Sequence, residues 1–178
     1  MVTFRKGLDV LDCRRTGKGF PDFATRKLLR HLRESLGLEV ITPWSCQMEH
    51  PILQHYMQCA FLGDFDPHGL SIYISYSYGS MAFEGPSTAC PGLHWLGMCY
   101  EDLKMLPDGV HLPLSARDTS LLTSLLRHPA ISQCPRLREQ CLVMSNQNIK
   151  FEIEALSSLG LNYLARYYIP LKILKRTW

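Results

Sequence analysis

Short apolar runs that alternate with amphipathic segments constrain the fold of this chain more than any other feature. The runs "QCAFLG" and "GLHWLG" read as short buried strands that end near Asp64 and Gly97. Strands that alternate with helices are typical of an α/β domain with a mainly parallel sheet. Sites in such folds lie at the carboxyl ends of strands, and Asp64 and Asp66 occupy such an end.

Four segments have the apolar spacing of amphipathic helices. In "FPDFATRKLLRHLRESLG", Asp22 is placed to cap the start and Gly37 suits the end. The basic residues of this segment mostly occupy the side opposite the leucines, which predicts a solvated face; they are Arg26, Lys27, Arg30 and Arg33.

The other three helical segments follow Val110. "SARDTSLLTSLLRHP" has Ser115 as N-cap, Asp118 at the third helical position and Pro129 as its end. "NIKFEIEALSSLG" places Ile149, Ile153 and Leu156 on one side and stops at Gly160, and "LNYLARYYIP" predicts a short fourth helix. These segments supply the helices that an α/β fold requires.

The segment that follows Asp66 fits two patterns. Ile72, Ile74, Tyr76 and Tyr78 alternate as in a strand, whereas the spacing of the apolar residues also fits a helix that Gly79 could end. A strand in a parallel sheet is normally followed by a crossover helix. We therefore expect a helix, with the tyrosine row on its buried face.

Composition excludes several classes of protein. The 178 residues fit one domain and contain no apolar run near the ~20 residues of a membrane helix. The N-terminus has no apolar signal-peptide core. None of the seven cysteines forms a CxxC pair, which favours free, mostly buried thiols in a reducing compartment.

Charge is segregated along the chain. Residues 1–33 have a net charge of +6 and residues 104–178 a net charge of +5, whereas residues 34–103 contain no Lys or Arg and have a net charge of −8. The acidic block must be solvated, paired with the basic blocks on folding, or neutralised by bound cations. The basic blocks could instead bind phosphates.

Asp64 and Asp66 are the strongest candidates for a metal site. Residues i and i+2 of an extended segment point the same way, so the two carboxylates repel each other unless a proton or cation lies between them. Mg²⁺ prefers hard oxygen ligands and often uses one or two carboxylates. Taken alone, the pair favours a solvated turn over a metal site.

Other polar residues near glycines are weaker candidates. His68 could contact a phosphate or act as an acid. The stretch "TGKG" lacks the Walker pattern, yet its glycines could bring the backbone and Lys18 close to a phosphate. Both features are equally compatible with ordinary turns.

Five stretches in this order resemble the Toprim domain of the topoisomerase VI A-subunit family, which includes the eukaryotic meiotic transesterase. They are "TGKGFPDFATRKLLRHL", "GDFDPHGLSIYISYSYGS", "LHWLGMCYEDL", "PLSARDTSLLTSLLRHPAI" and "IKFEIEALSSLGLNYLARYYIPLKI". The resemblance implies a Rossmann-like parallel sheet flanked by helices, in a single Toprim-type domain over residues 1–178. The family's metal-binding aspartates fall on Asp64 and Asp66, with Mg²⁺ as the cofactor.

The resemblance also implies partners. The family acts on DNA, and the contacts expected here are Arg14, Arg15, Lys18 and His68. In this family the A-type chain works as a homodimer with a B-type ATPase partner, and no membrane is involved. The abundance of Cys and Met argues mildly against a hyperthermophile and favours the meiotic branch, which implies a nuclear location.

The chain departs from the family pattern in three places. The family's DNA-attacking tyrosine lies in an N-terminal winged-helix domain, and no tyrosine here matches its motif, so no catalytic nucleophile is expected in this chain. The third metal ligand, a glutamate, would fall just before Met1, which suggests truncation at the N-terminus. Residues 40–58 look like an insertion.

These observations favour the Toprim portion of a protein that makes DNA double-strand breaks by Mg²⁺-dependent transesterification at the start of meiotic recombination. Two alternatives remain. One is a non-catalytic DNA-binding or dimerisation module that kept the fold. The other is a Mg²⁺-dependent phosphatase with an aspartate nucleophile, although Pro67-His68 is an unusual context for such a site.

Overall fold

A computed structural model describes residues 2–6, 9–11, 24, 26–28, 30–31, 58–79 and 89–175. The chain divides into two compact units. The first unit comprises residues 1–62 and 72–95, and the second comprises residues 63–71 and 96–178. The expected DNA contacts Arg14, Arg15 and Lys18 lie outside the described residues, as do residues 40–57 of the suggested insertion.

The first unit contains a four-stranded sheet in the order β2-β1-β3-β4. Its strands are β1 (Val2–Lys6), β2 (Asp9–Leu11), β3 (Gln58–Phe61) and β4 (His94–Trp95). Strands β3 and β4 are parallel, whereas β1 is antiparallel to both β2 and β3. The predicted α/β class is confirmed, and both predicted strands form the parallel pair of this mixed sheet.

Helix α1 (Pro67–Tyr78) follows β3, as the crossover argument predicted. In the first unit its aromatic residues pack on the sheet: the Phe61 ring centroid lies 5.8 Å from that of Tyr73 and 5.9 Å from that of Tyr76. Tyr73 and Tyr76 are buried as predicted, but Tyr78 is 48% exposed, so the row is only partly a buried face. Gly79 ends the helix with a φ of 86°, a conformation that favours glycine.

The predicted N-terminal basic helix is helical at residues 24, 26–28, 30 and 31, the positions of it that are described. Lys27 is exposed and Arg30 half-buried, but Arg26 is buried, with 6% of its surface accessible. The prediction of a solvated basic face is therefore wrong for Arg26. The burial includes the Nε atom of the guanidinium group, and it depends on tertiary neighbours that helical spacing does not reveal.

The second unit is mostly helical. Its regular helices are α2 (Ala116–Leu126), α3 (Pro129–Ser132), α4 (Pro135–Gln147) and α5 (Ile169–Lys175). Two 3₁₀ helices span Tyr100–Met105 and Ile153–Leu159, and a π-helical turn spans Leu164–Tyr168. The antiparallel pair β5 (Leu112–Pro113) and β6 (Ile149–Lys150) completes the unit.

Helix α2 begins as its sequence predicted. The Ser115 hydroxyl accepts a hydrogen bond from the Asp118 amide, and the Asp118 carboxylate accepts one from the Ser115 amide, which together form a capping box. The helix stops at Leu126, and Pro129 opens α3 instead of merely ending α2, because proline suits the first position of a helix.

The predicted third helix is wrong at its start. Ile149 and Lys150 form strand β6, and only Ile153–Leu159 is helical, as a 3₁₀ helix. The reason is an external partner: β6 pairs with β5, and Phe151 then pairs with Phe65 through two backbone hydrogen bonds. Gly160 does end the segment, with a φ of 125°.

The core of the second unit gathers around side chains with almost no exposed surface; they include Met98, Leu122, Ile131, Met144, Phe151 and Leu156. Cys90, Cys99, Cys134 and Cys141 are free thiols, and all but Cys134 are buried. Among the described helices, none has the length and apolarity to span a bilayer.

Candidate metal centre

The two candidate ligands lie between β3 and α1, on either side of a buried phenylalanine. Phe65 is 1% exposed, exchanges two backbone hydrogen bonds with Phe151, and its ring stacks on the Phe151 ring at 4.7 Å between centroids. Asp64 and Asp66 are both only half-buried. Because Phe65 is held in the core at this bridge, the two flanking carboxylates are fixed at the surface of the same segment.

A backbone amide holds the Asp64 carboxylate. The Ile153 N–H donates a 2.8 Å hydrogen bond to Asp64 Oδ1. Burial raises the pKa of Asp64, the Ile153 hydrogen bond opposes that shift, and the negative charges of Asp66, Glu154 and Glu152 raise the pKa further. The ionised form of Asp64 is thus destabilised where it stands, and a cation would relieve that cost.

Asp66 caps helix α1. The Gly69 N–H donates to Asp66 Oδ1, and the Leu70 N–H donates to the Asp66 backbone carbonyl. Burial raises the pKa of Asp66, and this effect outweighs the Gly69 hydrogen bond and the positive charges of His68 and Lys150. Asp66 therefore forms a turn at the start of α1, as one interpretation of the sequence predicted. This role is compatible with metal binding, because one carboxylate can accept a backbone hydrogen bond and also bind a cation.

The donor set fits a hard cation in part. Within the described residues, each aspartate accepts one backbone hydrogen bond on Oδ1, which leaves Oδ2 for another partner. Carboxylate oxygens are the ligands that Mg²⁺ prefers. No group of three His, Cys, Asp or Glu side chains that could hold a metal exists in the part of the chain that the structure describes. Within the described residues, the pair therefore supplies only part of a metal site.

Gly69 allows the close approach of these groups. A Cβ at this position would lie 2.9 Å from the Asp64 carbonyl oxygen and 2.9 Å from Asp66 Oδ1. Real Cβ contacts are essentially never that short, and the first of these neighbours is backbone. The glycine of the D-x-D-P-H-G stretch is therefore required by packing, a role that the sequence reasoning did not assign.

His68 lies next to a cluster that the sequence reasoning missed. Its Nε2 atom lies 3.7 Å from Asp118 Oδ1, and Lys150 Nζ lies 2.7 Å from Asp118 Oδ2. Burial by itself would raise the pKa of Asp118, but hydrogen bonds from Lys150 and Ser115 outweigh it and lower the pKa to about 2. The capping signal placed Asp118 at the start of α2 but gave no sign of its second partner, 32 residues further along.

The described cavity of the second unit lies at a different place. It has a volume of about 420 Å³, and its walls include Asp102, Tyr168 and Lys172. Neither Asp64 nor Asp66 lines it. The cavity therefore adds nothing to the carboxylate pair.

An α/β fold with two carboxylates directly after a strand and before a helix agrees with the Toprim resemblance of the sequence. Consistent with this, the family model for the Toprim domain of Spo11 and of the topoisomerase 6 A-subunit matches residues 51–173, more than half of the chain. The chain therefore belongs to the topoisomerase 6 A-subunit/Spo11 family and carries its Toprim domain.

Individual relatives agree with the family model. The chain is 35% identical over 188 residues to the meiotic recombination protein SPO11 of Homo sapiens. The alignment covers 99% of this chain and 43% of that protein. It is 32% identical over 167 residues to the DNA topoisomerase 6 A-subunit of Arabidopsis thaliana, which covers 92% of this chain and 35% of that protein. The chain thus spans less than half the length of these relatives.

Proposed function

We propose that this chain is the Toprim portion of a protein that makes DNA double-strand breaks by Mg²⁺-dependent transesterification, at the start of meiotic recombination. The observation that carries the proposal is the family match over residues 51–173, with Asp64 and Asp66 between strand and helix inside it. Relatives named meiotic recombination proteins support the meiotic branch.

In this proposal, Asp64 and Asp66 hold the cation through their free oxygens. Mg²⁺ bound there would stabilise negative charge on a DNA phosphate and on the leaving oxygen. The chain's own contribution is orientation: the Ile153 and Gly69 amides fix one oxygen of each carboxylate. The attacking tyrosine is assigned to the part of the relatives that this chain does not span.

The same proposal specifies the substrate, the assembly and the location of the protein. Its substrate is duplex DNA, its assembly a homodimer of A-type chains with a B-type ATPase partner, and its location the nucleus. The names of the relatives support the DNA substrate, and the topoisomerase relative, itself named as one subunit, supports assembly with a second kind of chain. His68 and the basic residues Arg14, Arg15 and Lys18 are the proposed DNA contacts.

The test is binding of a fluorescently labelled DNA duplex, measured by anisotropy with Mg²⁺ or with EDTA. We expect affinity to fall steeply between about 50 and 200 mM salt, because phosphate contacts release counterions. We also expect Mg²⁺ to strengthen binding, and Asp64→Asn and Asp66→Asn to remove that gain. Asp108→Asn removes an exposed carboxylate elsewhere in the second unit and is the matched control.

Duplex affinity that does not change with salt would overturn the proposal. A salt-dependent affinity that ignores Mg²⁺ and both site variants would point instead to a module that binds DNA without a metal. Release of phosphate from a phosphomonoester, lost in Asp64→Asn, would favour the phosphatase alternative. The last two outcomes therefore distinguish the two alternative functions from the proposed one.

A further inference from the structure

We propose that Asp118 is a positioning residue that holds Lys150 and His68 as a two-donor contact for one DNA backbone phosphate beside the aspartate pair. The inference rests on the proposed DNA substrate and adds residues to it. The carboxylate presents its two oxygens to different partners: Oδ2 lies 2.7 Å from Lys150 Nζ, and Oδ1 lies 3.7 Å from His68 Nε2.

The capping role of Asp118 does not account for this arrangement. In a capping box, the carboxylate accepts one hydrogen bond from the amide of the N-cap residue. Asp118 Oδ2 accepts three: from the Ser115 amide at 2.8 Å, from the Ser115 hydroxyl at 2.7 Å and from Lys150. The lysine is therefore additional to the cap, and Oδ1 is left facing the histidine.

The Asp118 carboxylate is shielded from solvent, whereas its two partners are accessible to it. The Asp118 side chain is 2% exposed, whereas the side chains of Lys150 and His68 are 24% and 53% exposed. A ligand from solvent thus meets the lysine and the histidine and does not meet the carboxylate that orients them. An ammonium group has three donors, and Lys150 uses one of them on Asp118.

Fixed donors bind an anion at lower cost than mobile ones. Lys150 belongs to β6, which is hydrogen-bonded to β5, and His68 stands in the first turn of α1. A free lysine would lose about 2 kcal/mol of rotamer entropy on binding, and much of that loss has already occurred in the folded protein. Asp118 therefore fixes Lys150 before DNA arrives, at a place where His68 is the neighbouring donor.

The contact lies next to the metal candidate. His68 follows Asp66 by two residues, and Lys150 directly precedes Phe151, which pairs with Phe65 between the two aspartates. A phosphate that reached a cation on Asp64 and Asp66 would have these two donors beside it. A single phosphodiester has two non-bridging oxygens, so one can contact the cation while the other accepts hydrogen bonds from these donors.

The first variant is Lys150→Gln, tested by duplex anisotropy against salt. We expect about tenfold weaker binding and a salt slope smaller by about 1, as for loss of one phosphate contact. Lys150→Arg should keep most of the affinity. Lys104→Gln removes an exposed lysine of the same unit, and we expect its affinity to stay within about twofold of that of the wild type.

The second variant separates positioning from simple charge. Asp118→Asn makes the protein more positive, so bulk electrostatics alone would strengthen DNA binding. Positioning predicts the opposite, an affinity about as weak as that of Lys150→Gln, and little further loss when both changes are combined. Ser115→Ala weakens the helix cap without changing charge and controls for destabilisation of α2.

The outcomes distinguish this inference from the proposed function. If the wild-type protein shows no salt-dependent duplex binding, both the proposed function and the positioning role of Asp118 are refuted. Normal wild-type binding, with Asp118→Asn binding DNA more tightly or Lys150→Gln binding it equally well, would end only the positioning role. Displacement of the duplex by inorganic phosphate, beyond that by chloride at matched ionic strength, would reassign the pair to a free anion and overturn the DNA contact.

Discussion

At the scale of single residues, the second unit contains two kinds of aspartate, whose pKa values shift in opposite directions. Asp64 and Asp66 each have one amide donor, and their pKa values are raised. Asp118 has a lysine and a serine as partners, and its pKa is lowered. Burial raises the pKa of all three carboxylates, and only Asp118 has partners that reverse this shift.

Asp64→Asn should stabilise the protein when no divalent cation is present. A carboxylate whose pKa is raised in the folded state costs stability as pH rises from its unfolded value of 3.8 through the folded value. The variant avoids that cost and keeps an oxygen for the Ile153 amide. Urea unfolding in EDTA should show a gain at pH 7 that disappears at about pH 3; a loss of stability at pH 7 would contradict the strain argument.

Asp118→Asn should have the opposite effect. A folded pKa of about 2 means that the ionised carboxylate contributes stability above pH 3.8, and this contribution is lost as pH falls towards 2. A shift of this size corresponds to about 2 kcal/mol at pH 7. Urea unfolding from pH 7 to pH 2 should show the deficit shrinking with acid, whereas Asp108→Asn, at an exposed carboxylate, should show almost none.

Gly69→Ala should destabilise the protein although alanine favours helices. The added Cβ would meet the Asp64 carbonyl oxygen at 2.9 Å, and overpacking of this kind costs about 1–3 kcal/mol. Thermal unfolding should report the loss, and Mg²⁺-dependent DNA binding should weaken with it because both carboxylates must shift. Ser120→Ala, at an exposed site in α2, should be neutral or slightly stabilising; equal behaviour of the two variants would refute the packing role.

At the scale of elements, the sequence correctly predicted those features that depend on residues close together in the chain. The capping residues of α2 and the strand-then-helix order around Asp64 appear as the sequence indicated. Helix α4 was not predicted, because its polar exposed residues and Cys141 obscure the apolar spacing. Strand β6 was assigned to a helix because its partner, β5, is distant in sequence.

The C-terminal helix should depend on one buried ion pair. Lys172 Nζ lies 2.7 Å from Asp102 Oδ2, and the Cys99 amide and the Tyr168 hydroxyl, each at 2.8 Å, also donate to that oxygen. Burial, and then the charge of Asp102, raise the pKa of Tyr168, which keeps its hydroxyl a donor. Breaking this network leaves a buried carboxylate without its cation.

Lys172→Met should therefore cost about 3–5 kcal/mol, as for removal of one partner of a buried pair. Lys175→Met changes an exposed lysine at the end of the same helix and should stay within about 0.5 kcal/mol of wild type. The comparison is made by urea unfolding at neutral pH. Equal stability of the two variants would show that the ion pair does not anchor α5.

At the scale of the whole molecule, the segregated charges are resolved in part by folding. Lys172 belongs to the basic C-terminal block and Asp102 to the acidic block that has no lysine or arginine of its own, and the two form a buried pair. Asp64 and Asp66 belong to the same acidic block, and within the described residues they have no ion pair. Pairing between blocks thus neutralises Asp102, and the proposed cation would neutralise Asp64 and Asp66.

Mg²⁺ affinity should be weaker than micromolar for this chain. Two carboxylates are in place, and no third metal-binding group joins them among the described residues. Titration calorimetry should show a small heat of Mg²⁺ binding, which should be absent in the double variant Asp64→Asn/Asp66→Asn. Micromolar binding would contradict the half-site and would require a third ligand from elsewhere in the chain.

The sequence alone determined the α/β class, the strand and helix on either side of Asp64 and Asp66, and the cap of α2, because each depends on residues close together in the chain. Only the tertiary structure decided that Ile153 holds Asp64, that Gly69 must lack a Cβ, and that Lys150 reaches Asp118. These contacts join residues up to 89 positions apart. Side-chain spacing carries no information about such pairs until β6 and the Phe65–Phe151 bridge bring the segments together.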